Sequence, residues 1–202
     1  MISLDPIRRA LATHDPVILQ GGGSRGAAVA LVLRQSREDL AVLFIERARR
    51  EGDPWSGHMA FPGGRVDPGD ANAHSAAERE TLEEVGIHLD AAERIGRLDD
   101  MQGHRVAGVP SLLVSAFVYY VKDPAELVAN HEVQDAFWFP VSSLLDPERH
   151  VEYPAPWSGE EPLPGIRVGI PDGQVVWGLT YRFLEVFLQI IGSPLPGRWK
   201  PR

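Results

Sequence analysis

Residues 61–87 constrain this chain more than any other stretch, because they combine a glycine turn, a short acidic loop and a helix with aligned carboxylates. The helix is predicted to begin near Asp70, as N-cap, and to end at Gly86. Glutamates at i, i+3 and i+4 share one helical face. Since like charges on one face repel, a hard divalent cation, Mg²⁺ or Mn²⁺, is the expected partner. The alternative is a solvated acidic face. The three residues are Glu80, Glu83 and Glu84.

The opposite side of the same helix is predicted to pack on a core. Its residues are small or apolar: Ala77, Thr81, Leu82 and Val85. Arg79 lies four residues before Glu83, a spacing that favours an ion pair between them. The helix is therefore predicted to be a platform that presents ligands on one face and anchors itself with the other.

The sequence of this stretch resembles the Nudix box, GX5EX7REUXEEXGU. Residues 79–87 fit its second half, apart from Thr81 at an aliphatic position, whereas Gly64 and Asp70 fit its first half only with a one-residue insertion. Together with the preceding SGHMAFPGG, residues 56–87 resemble the coenzyme A pyrophosphatase-like branch of the Nudix hydrolases. Residues 132–141 and 176–184 are also similar to that branch.

The resemblance implies a metal centre and assigns residues to it. The three helix glutamates and the Gly64 carbonyl would bind two or three metal ions, with Glu132 as a further ligand or as the base that activates water. Glu83 is the other candidate base, Arg79 would orient a glutamate, and Asp70 would replace the first glutamate of the box. For Glu132 alone, the alternative is an exposed loop carboxylate.

Basic residues just before the glycine turn are candidates for substrate binding. A guanidinium group can hold a phosphate through two parallel hydrogen bonds. Surface arginines that balance a negative protein are the alternative for this cluster, and a structural role is the alternative for the histidine. The residues are Arg47, Arg49, Arg50 and His58.

Carboxylates around a divalent metal, beside arginines, suit hydrolysis of a phosphoric anhydride. The resemblance implies a nucleoside diphosphate linked to a second group as substrate, with coenzyme A first. Coenzyme A would be cut to phosphopantetheine and adenosine 3′,5′-bisphosphate. One alternative is a broader pyrophosphatase acting on ADP-ribose, NADH, dinucleoside polyphosphates or damaged nucleoside triphosphates. Another is a module that senses a nucleotide without cutting it.

The pattern of strands and helices predicts an α/β (α+β) fold, and the resemblance implies a Nudix-type α/β/α sandwich with a mixed sheet between helices. Aliphatic runs at 27–34 and 40–47 indicate neighbouring strands, and 111–121 a central strand. One domain is expected over residues 1–202. It would comprise an N-terminal helix and connector (1–25), a variable substrate-side loop or hairpin (146–175) and a tail (193–202).

The composition limits the classes of molecule that this chain is expected to bind. A formal net charge of −8 disfavours coating of nucleic acid, so a small-molecule nucleotide is the expected partner. The chain has no cysteine, no apolar run near the ~20 residues that cross a membrane, and no signal-peptide pattern at its start. These features predict a cytoplasmic protein. The apolar stripe of the helix at 178–191 is expected to serve the core, with a homodimer surface as the alternative.

Overall fold

The computed structural model describes residues 2–20, 25–36, 39–52, 55–103, 112–154, 162–169 and 173–196. Residues 21–24 of the predicted connector and residues 197–202 of the predicted tail lie outside these ranges. Three α-helices are seen in the described ranges: α1 (Leu4–Thr13), α2 (Ala73–Val85) and α3 (Gly178–Ile190). The strands are β1 (Arg25–Ser36), β2 (Asp39–Arg47), β3 (Met59–Ala60), β4 (Gly63–Arg65), β5 (Glu93–Arg97), β6 (Met101–Gln102), β7 (Leu112–Tyr120), β8 (Val133–Pro140), β9 (His150–Tyr153), β10 (Leu163–Val168) and β11 (Gln174–Trp177).

The main sheet is mixed and follows the order β3-β2-β1-β7-β5. Strand β1 runs parallel to β7 and antiparallel to β2, so the two aliphatic runs do form neighbouring strands. Strand β7 lies between β1 and β5, which confirms its predicted interior position. Strand β4 pairs with β1, β6 with β7, and β8 with β2. The short β4 therefore places the glycine turn beside β1, in the middle of the main sheet.

Helices cover both faces of this sheet. Because alternate residues of a strand point to opposite faces, Leu31 of β1 packs in one core with Ile7 of α1 and Phe183 of α3. Its neighbour Val32 packs in a second core with Ala77 of α2. The predicted α/β/α sandwich is thereby confirmed. The carboxylate-bearing helix forms one outer layer by itself, which leaves its polar face free of the core.

A second, smaller antiparallel sheet has the order β11-β10-β9. Its β10–β11 hairpin confirms the hairpin predicted in the 146–175 region, whereas β9 was not expected, because its short run lies among prolines and aromatic residues that mask a strand pattern. Tyr153 of β9 stacks on Trp177 of β11 with ring centroids 4.6 Å apart. The small sheet is thus tied together across its width.

The stripe of α3 faces the core. Phe183 and Phe187 are buried, and Leu179, Val186 and Ile190 pack against the same cluster. The prediction that this stripe packs in the core is confirmed. A homodimer remains a prediction. Within the described ranges, no helix has both the length and the apolar character needed to cross a bilayer.

Candidate active site

Helix α2 begins two residues later than its predicted start near Asp70. Asn72, with an extended backbone at φ −167°, is the N-cap, and its Oδ1 accepts the N–H of Ser75 at 3.0 Å. The N-cap prediction for Asp70 was wrong because this carboxylate accepts the N–H of Asp67 at 2.8 Å and so closes the preceding loop. At the other end the prediction is confirmed: Gly86 has φ 74° and donates its N–H to Leu82 O.

The two faces of α2 differ from the predicted ones at a single pair of positions. Ala77, Thr81 and Val85 are fully buried, as predicted. Leu82 was predicted to be in the core but is 40% exposed, whereas Glu84 is only 2% exposed. Since successive residues turn by about 100° around a helix, seating Thr81 and Val85 in the core carries Glu84 inward and Leu82 outward. A carboxylate therefore sits at the rim of the core.

Glu84 is a buried carboxylate with few partners. Its Oε2 accepts the N–H of Gly63 at 2.8 Å. Burial raises the pKa of Glu84 to about 8, against the lowering effect of that hydrogen bond and of the Arg47 charge. Nearby Glu80 raises this pKa further. A cation at this place would favour the ionised form, which the protein alone disfavours.

The buried Glu84 predicts a pH-dependent stability difference between the wild type and Glu84→Gln in the presence of a chelator. Because burial raises the pKa of Glu84 from 4.5 to about 8, the folded chain holds a proton that the unfolded chain has released. The wild type should therefore lose stability relative to the variant as the pH rises between these values, by a few kcal/mol at most. Urea unfolding at pH 5 and pH 8.5 checks this. An equal difference at both pH values would contradict it.

Gly64 and Glu80 fit together at the turn before α2. A Cβ atom at Gly64 would lie 2.7 Å from Glu80 Oε2 and nearer still to the other atoms of the carboxylate. Only glycine lets the backbone approach this side chain so closely. Burial also raises the pKa of Glu80, partly offset by Arg79. Gly64 and Glu80, both predicted to be metal ligands, therefore lie side by side.

Arg79 fixes the carboxylates around it. Its Nε and Nη2 donate to Asp70 Oδ1 and Oδ2, each at 3.0 Å. Its Nη1 donates to Glu80 Oε1 at 2.9 Å and to Glu83 Oε2 at 3.3 Å. The guanidinium holds the pKa of Asp70 below its ordinary value. The predicted pair with Glu83 is therefore present, and Asp70 acts by holding Arg79 in place.

Glu132 reaches the site because its loop is tied to the end of α2. The N–H of Val128 donates to Val85 O, and the N–H of Asn130 donates to Glu84 O, both at 3.0 Å. Asn130 Oδ1 then accepts the N–H of Glu132 at 2.7 Å. The charge of Glu132 is close enough to contribute to the raised pKa of both Glu80 and Glu84.

The basic residues divide into two groups. Arg50 Nη2 donates to Glu132 Oε1 at 2.9 Å, and the Arg47 charge acts on Glu84, so both lie beside the carboxylates. Arg49 is exposed beside Gly57. His58 makes an edge contact with Trp177, with ring centroids 4.7 Å apart. The structure thus brings Arg47 and Arg50 to the carboxylates, whereas Arg49 and His58 line the neighbouring 55–58 turn.

Two further contributors were missed in the sequence. The Gly63 N–H holds Glu84, and its φ of 148° together with the close approach of the β1 backbone explains the glycine. Asn130 positions the Glu132 loop. A glycine pair before an acidic helix and an asparagine before a turn were the available signals, but neither indicates its partner in the sequence.

The donor set fits a hard divalent cation. It consists of carboxylate and carbonyl oxygens, and it includes a buried carboxylate whose pKa is raised. In the described ranges no three acidic, histidine or cysteine side chains converge into a metal cage. Oxygens of Glu80, Glu83 and Glu84 instead accept hydrogen bonds from Arg79 and from the Gly63 N–H. A cation would compete with these contacts for the same atoms.

Comparison with known families agrees with this geometry. A model of the NUDIX domain matches residues 24–158, a span that contains the glycine turn, α2 and the Glu132 loop. The chain belongs to the Nudix family. Members of the family generally use divalent metal ions, and the resemblance identified in the box is confirmed. The matched residues 24–158 also include the strands of the main sheet, on which this Nudix site lies.

Curated relatives extend the match beyond the box. Human mitochondrial coenzyme A diphosphatase NUDT8 is 29% identical over 87% of this chain and 72% of its own length. The Nudix hydrolase NudL of Citrobacter koseri is 32% identical over 82% of this chain and 83% of its own. An uncharacterised Schizosaccharomyces pombe protein is 43% identical over 53% of this chain, which spans only 34% of that protein. Among these matches, the similarity to NUDT8 supports the coenzyme A pyrophosphatase-like branch.

A solved structure supports the fold. The MutT/nudix family protein of Enterococcus faecalis covers 95% of this chain, and the match covers 70% of that protein, with a TM-score of 0.55 and 16% identity. At this identity the likeness concerns the fold alone. It places the mixed sheet and its flanking helices within the Nudix architecture.

Proposed function

We propose that this Nudix protein is a metal-dependent hydrolase that cleaves the pyrophosphate linkage of a nucleoside diphosphate linked to a second group. The proposed substrate is coenzyme A or a derivative, cut to phosphopantetheine and adenosine 3′,5′-bisphosphate. The observation that carries the proposal is the convergence of Glu80 and Glu84 on the glycine turn, with Glu132 brought beside them by its docked loop. A nucleotide sensor would have no need of this set.

Mg²⁺ or Mn²⁺ is the proposed cofactor. When bound, such an ion neutralises phosphate oxygens and promotes attack by water. Its proposed ligands share hard oxygen atoms and lie on the turn, on α2 and on the docked loop: the Gly64 carbonyl, Glu80, Glu83, Glu84 and Glu132.

The protein groups have separate proposed tasks. Arg79 orients Glu80 and Glu83 through the hydrogen bonds of its Nη1. Either Glu83 or Glu132 accepts the proton of the attacking water. Their partners favour Glu83: Arg50 donates to Glu132 at 2.9 Å, whereas Glu83, with a side chain 54% exposed, has the longer 3.3 Å contact with Arg79. The less tightly held carboxylate is the better proton acceptor.

Basic residues beside the carboxylates are proposed to bind the substrate. Arg47 and Arg50 lie where a diphosphate bound at the carboxylates would need positive charge, and Arg49 and His58 extend this surface along the 55–58 turn. The contact of His58 with Trp177 ties that turn to the small sheet, which is the proposed side for substrate selection. A guanidinium released from Glu132 by a metal would be free to hold phosphate.

The similarity to a protein named coenzyme A diphosphatase favours coenzyme A over other substrates. The alternative is a broader pyrophosphatase that cuts ADP-ribose, NADH, dinucleoside polyphosphates or damaged nucleoside triphosphates. A single domain over 1–202, a cytoplasmic location and a possible homodimer remain predictions that accompany this proposal.

Product analysis by mass spectrometry tests the substrate. The protein is incubated with Mg²⁺ and, separately, with each of these potential substrates. We expect phosphopantetheine and adenosine 3′,5′-bisphosphate from coenzyme A at the highest rate. Activity should disappear with excess chelator and return with Mg²⁺ or Mn²⁺. Faster cleavage of another compound would identify that compound as the preferred substrate. Full activity after exhaustive chelation would exclude the metal mechanism. Tight binding of a nucleotide without cleavage would favour the sensor.

A further inference from the structure

A cavity of about 440 Å³ lies at the β5 edge of the main sheet, and none of its lining residues belongs to the carboxylate site. The end of α1 supplies an apolar wall through Leu11 and Ala12, and Phe117 of β7 supplies an aromatic one. Its volume is within the range of small-molecule sites. The cavity is therefore large enough for a ligand of mononucleotide size.

The titratable lining of this cavity is basic throughout the described residues: His74, Arg94 and Arg97. Two carboxylates stand close by, and each already has a partner. Asp100 Oδ1 accepts Arg97 Nη2 at 2.7 Å, and Glu78 Oε1 accepts the hydroxyl of Tyr119 at 2.9 Å. An entering anion would meet positive groups first.

A β-bulge brings the two arginines to the same face. Arg94 pairs with Tyr119 and Arg97 with Phe117, with the register shift between Arg94 and Gly96. Residues three apart on a regular strand point to opposite faces. The extra residue instead gives both arginines partners two apart on β7, so that both share the α2 side of the sheet. Bulges commonly redirect side chains in this way near functional sites.

Arg97 is held in place by contacts on more than one side of its guanidinium. Its guanidinium lies over Phe117, 5.3 Å from the ring centroid, and its Nη2 also donates to Ser115 Oγ at 3.2 Å. Its Nε is buried and has no hydrogen-bond partner among the residues that the structure describes. With Nε enclosed, only the remaining part of the Arg97 side chain, which is 30% exposed as a whole, can meet a ligand.

His74 lines the cavity on the side of α2. Its ring makes an edge contact with Phe117, with centroids 5.7 Å apart. Burial lowers the pKa of His74, and the Arg94 charge lowers it further, against a raising effect of Glu78. A bound anion would reverse this balance and favour the imidazolium.

We propose that this cavity is a second ligand site, one that binds a small phosphate-bearing anion through His74, Arg94 and Arg97. Its residues are separate from those of the proposed hydrolytic centre, so the inference does not depend on the proposed function. Phe117 and the wall from α1 offer apolar contacts that inorganic phosphate would not use. A mononucleotide would use them, and the two sources of phosphate therefore differ in expected affinity.

Proton NMR of the full chain in excess chelator tests the site. The His74 imidazole signal is assigned by its loss in His74→Gln and is followed during titration with inorganic phosphate and, separately, adenosine 5′-monophosphate. Sodium chloride at matched ionic strength serves as the blank. We expect a saturable downfield shift and a raised apparent pKa with phosphate. Tighter binding of the mononucleotide would assign the apolar wall to its nucleoside, and equal binding would assign the site to inorganic phosphate.

Two variants complete this test. Arg94→Gln removes an exposed charge from the cavity and should weaken the phosphate-induced shift at least fivefold, with the melting temperature checked for folding. Arg9→Gln, at an exposed arginine of α1 outside the cavity, should leave the binding unchanged. A shift that chloride reproduces, or equal affinity in Arg94→Gln and the wild type, would overturn the proposal.

Discussion

Glu83→Gln is expected to reduce kcat/KM for the preferred substrate by roughly 10²- to 10⁴-fold, the range associated with loss of a general base. The side chain is 54% exposed, and its contact is the 3.3 Å hydrogen bond from Arg79, which an amide oxygen can still accept. Folding should therefore be unaffected. Steady-state kinetics with saturating Mg²⁺, together with the melting temperature, measure both effects.

The matched control for this variant is Glu78→Gln on the same helix. Glu78 accepts the hydroxyl of Tyr119 at 2.9 Å, away from the Arg79 cluster, and an amide oxygen can keep this bond. Activity should stay near the wild-type level. Glu132→Gln then separates the two candidate bases: the true base loses activity at every Mg²⁺ concentration, whereas a mere ligand is rescued in part by more metal. Full activity of Glu83→Gln would remove it from the mechanism.

Gly64→Ala is expected to reduce kcat/KM by about 10²-fold or more, since displacing a catalytic group by about 1 Å can have that effect. The new Cβ would lie 2.7 Å from Glu80 Oε2, so either the carboxylate or β4 must move. Movement of β4 is opposed by its pairing with β1, where Gly64 lies opposite Ala28. Glu80 should therefore be displaced, and the concentration of Mg²⁺ needed for half-maximal activity should rise.

Gly69→Ala, in the loop between β4 and α2, provides the matched control. A Cβ at Gly69 has no atom within 4 Å, so this variant adds the same methyl group without a clash. It should retain wild-type activity and the same Mg²⁺ dependence. Wild-type kinetics in Gly64→Ala would show that Glu80 need not approach the turn. Equal loss in both variants would point instead to a general effect on the segment between β4 and α2.

The sequence by itself determined the parts of this protein that depend on local spacing. The spacing of the glutamates and the Arg79–Glu83 pair follow from helical periodicity, and the terminating Gly86 follows from the left-handed conformation that glycine adopts at a helix end. Continuous aliphatic runs likewise predicted β1, β2 and β7, because such runs are also a local property of the sequence.

Only the tertiary structure decided which side chains meet across distance. The rotation of α2 on the sheet buried Glu84 and exposed Leu82, a choice set by the packing of Thr81 and Val85. Contacts of the 124–132 loop with the end of α2 brought Glu132 to the site. A single bulge in β5 placed Arg94 and Arg97 on one face. Each of these three arrangements depends on residues that are distant in the sequence. The spacing of residues along the chain does not indicate which distant residues they will contact.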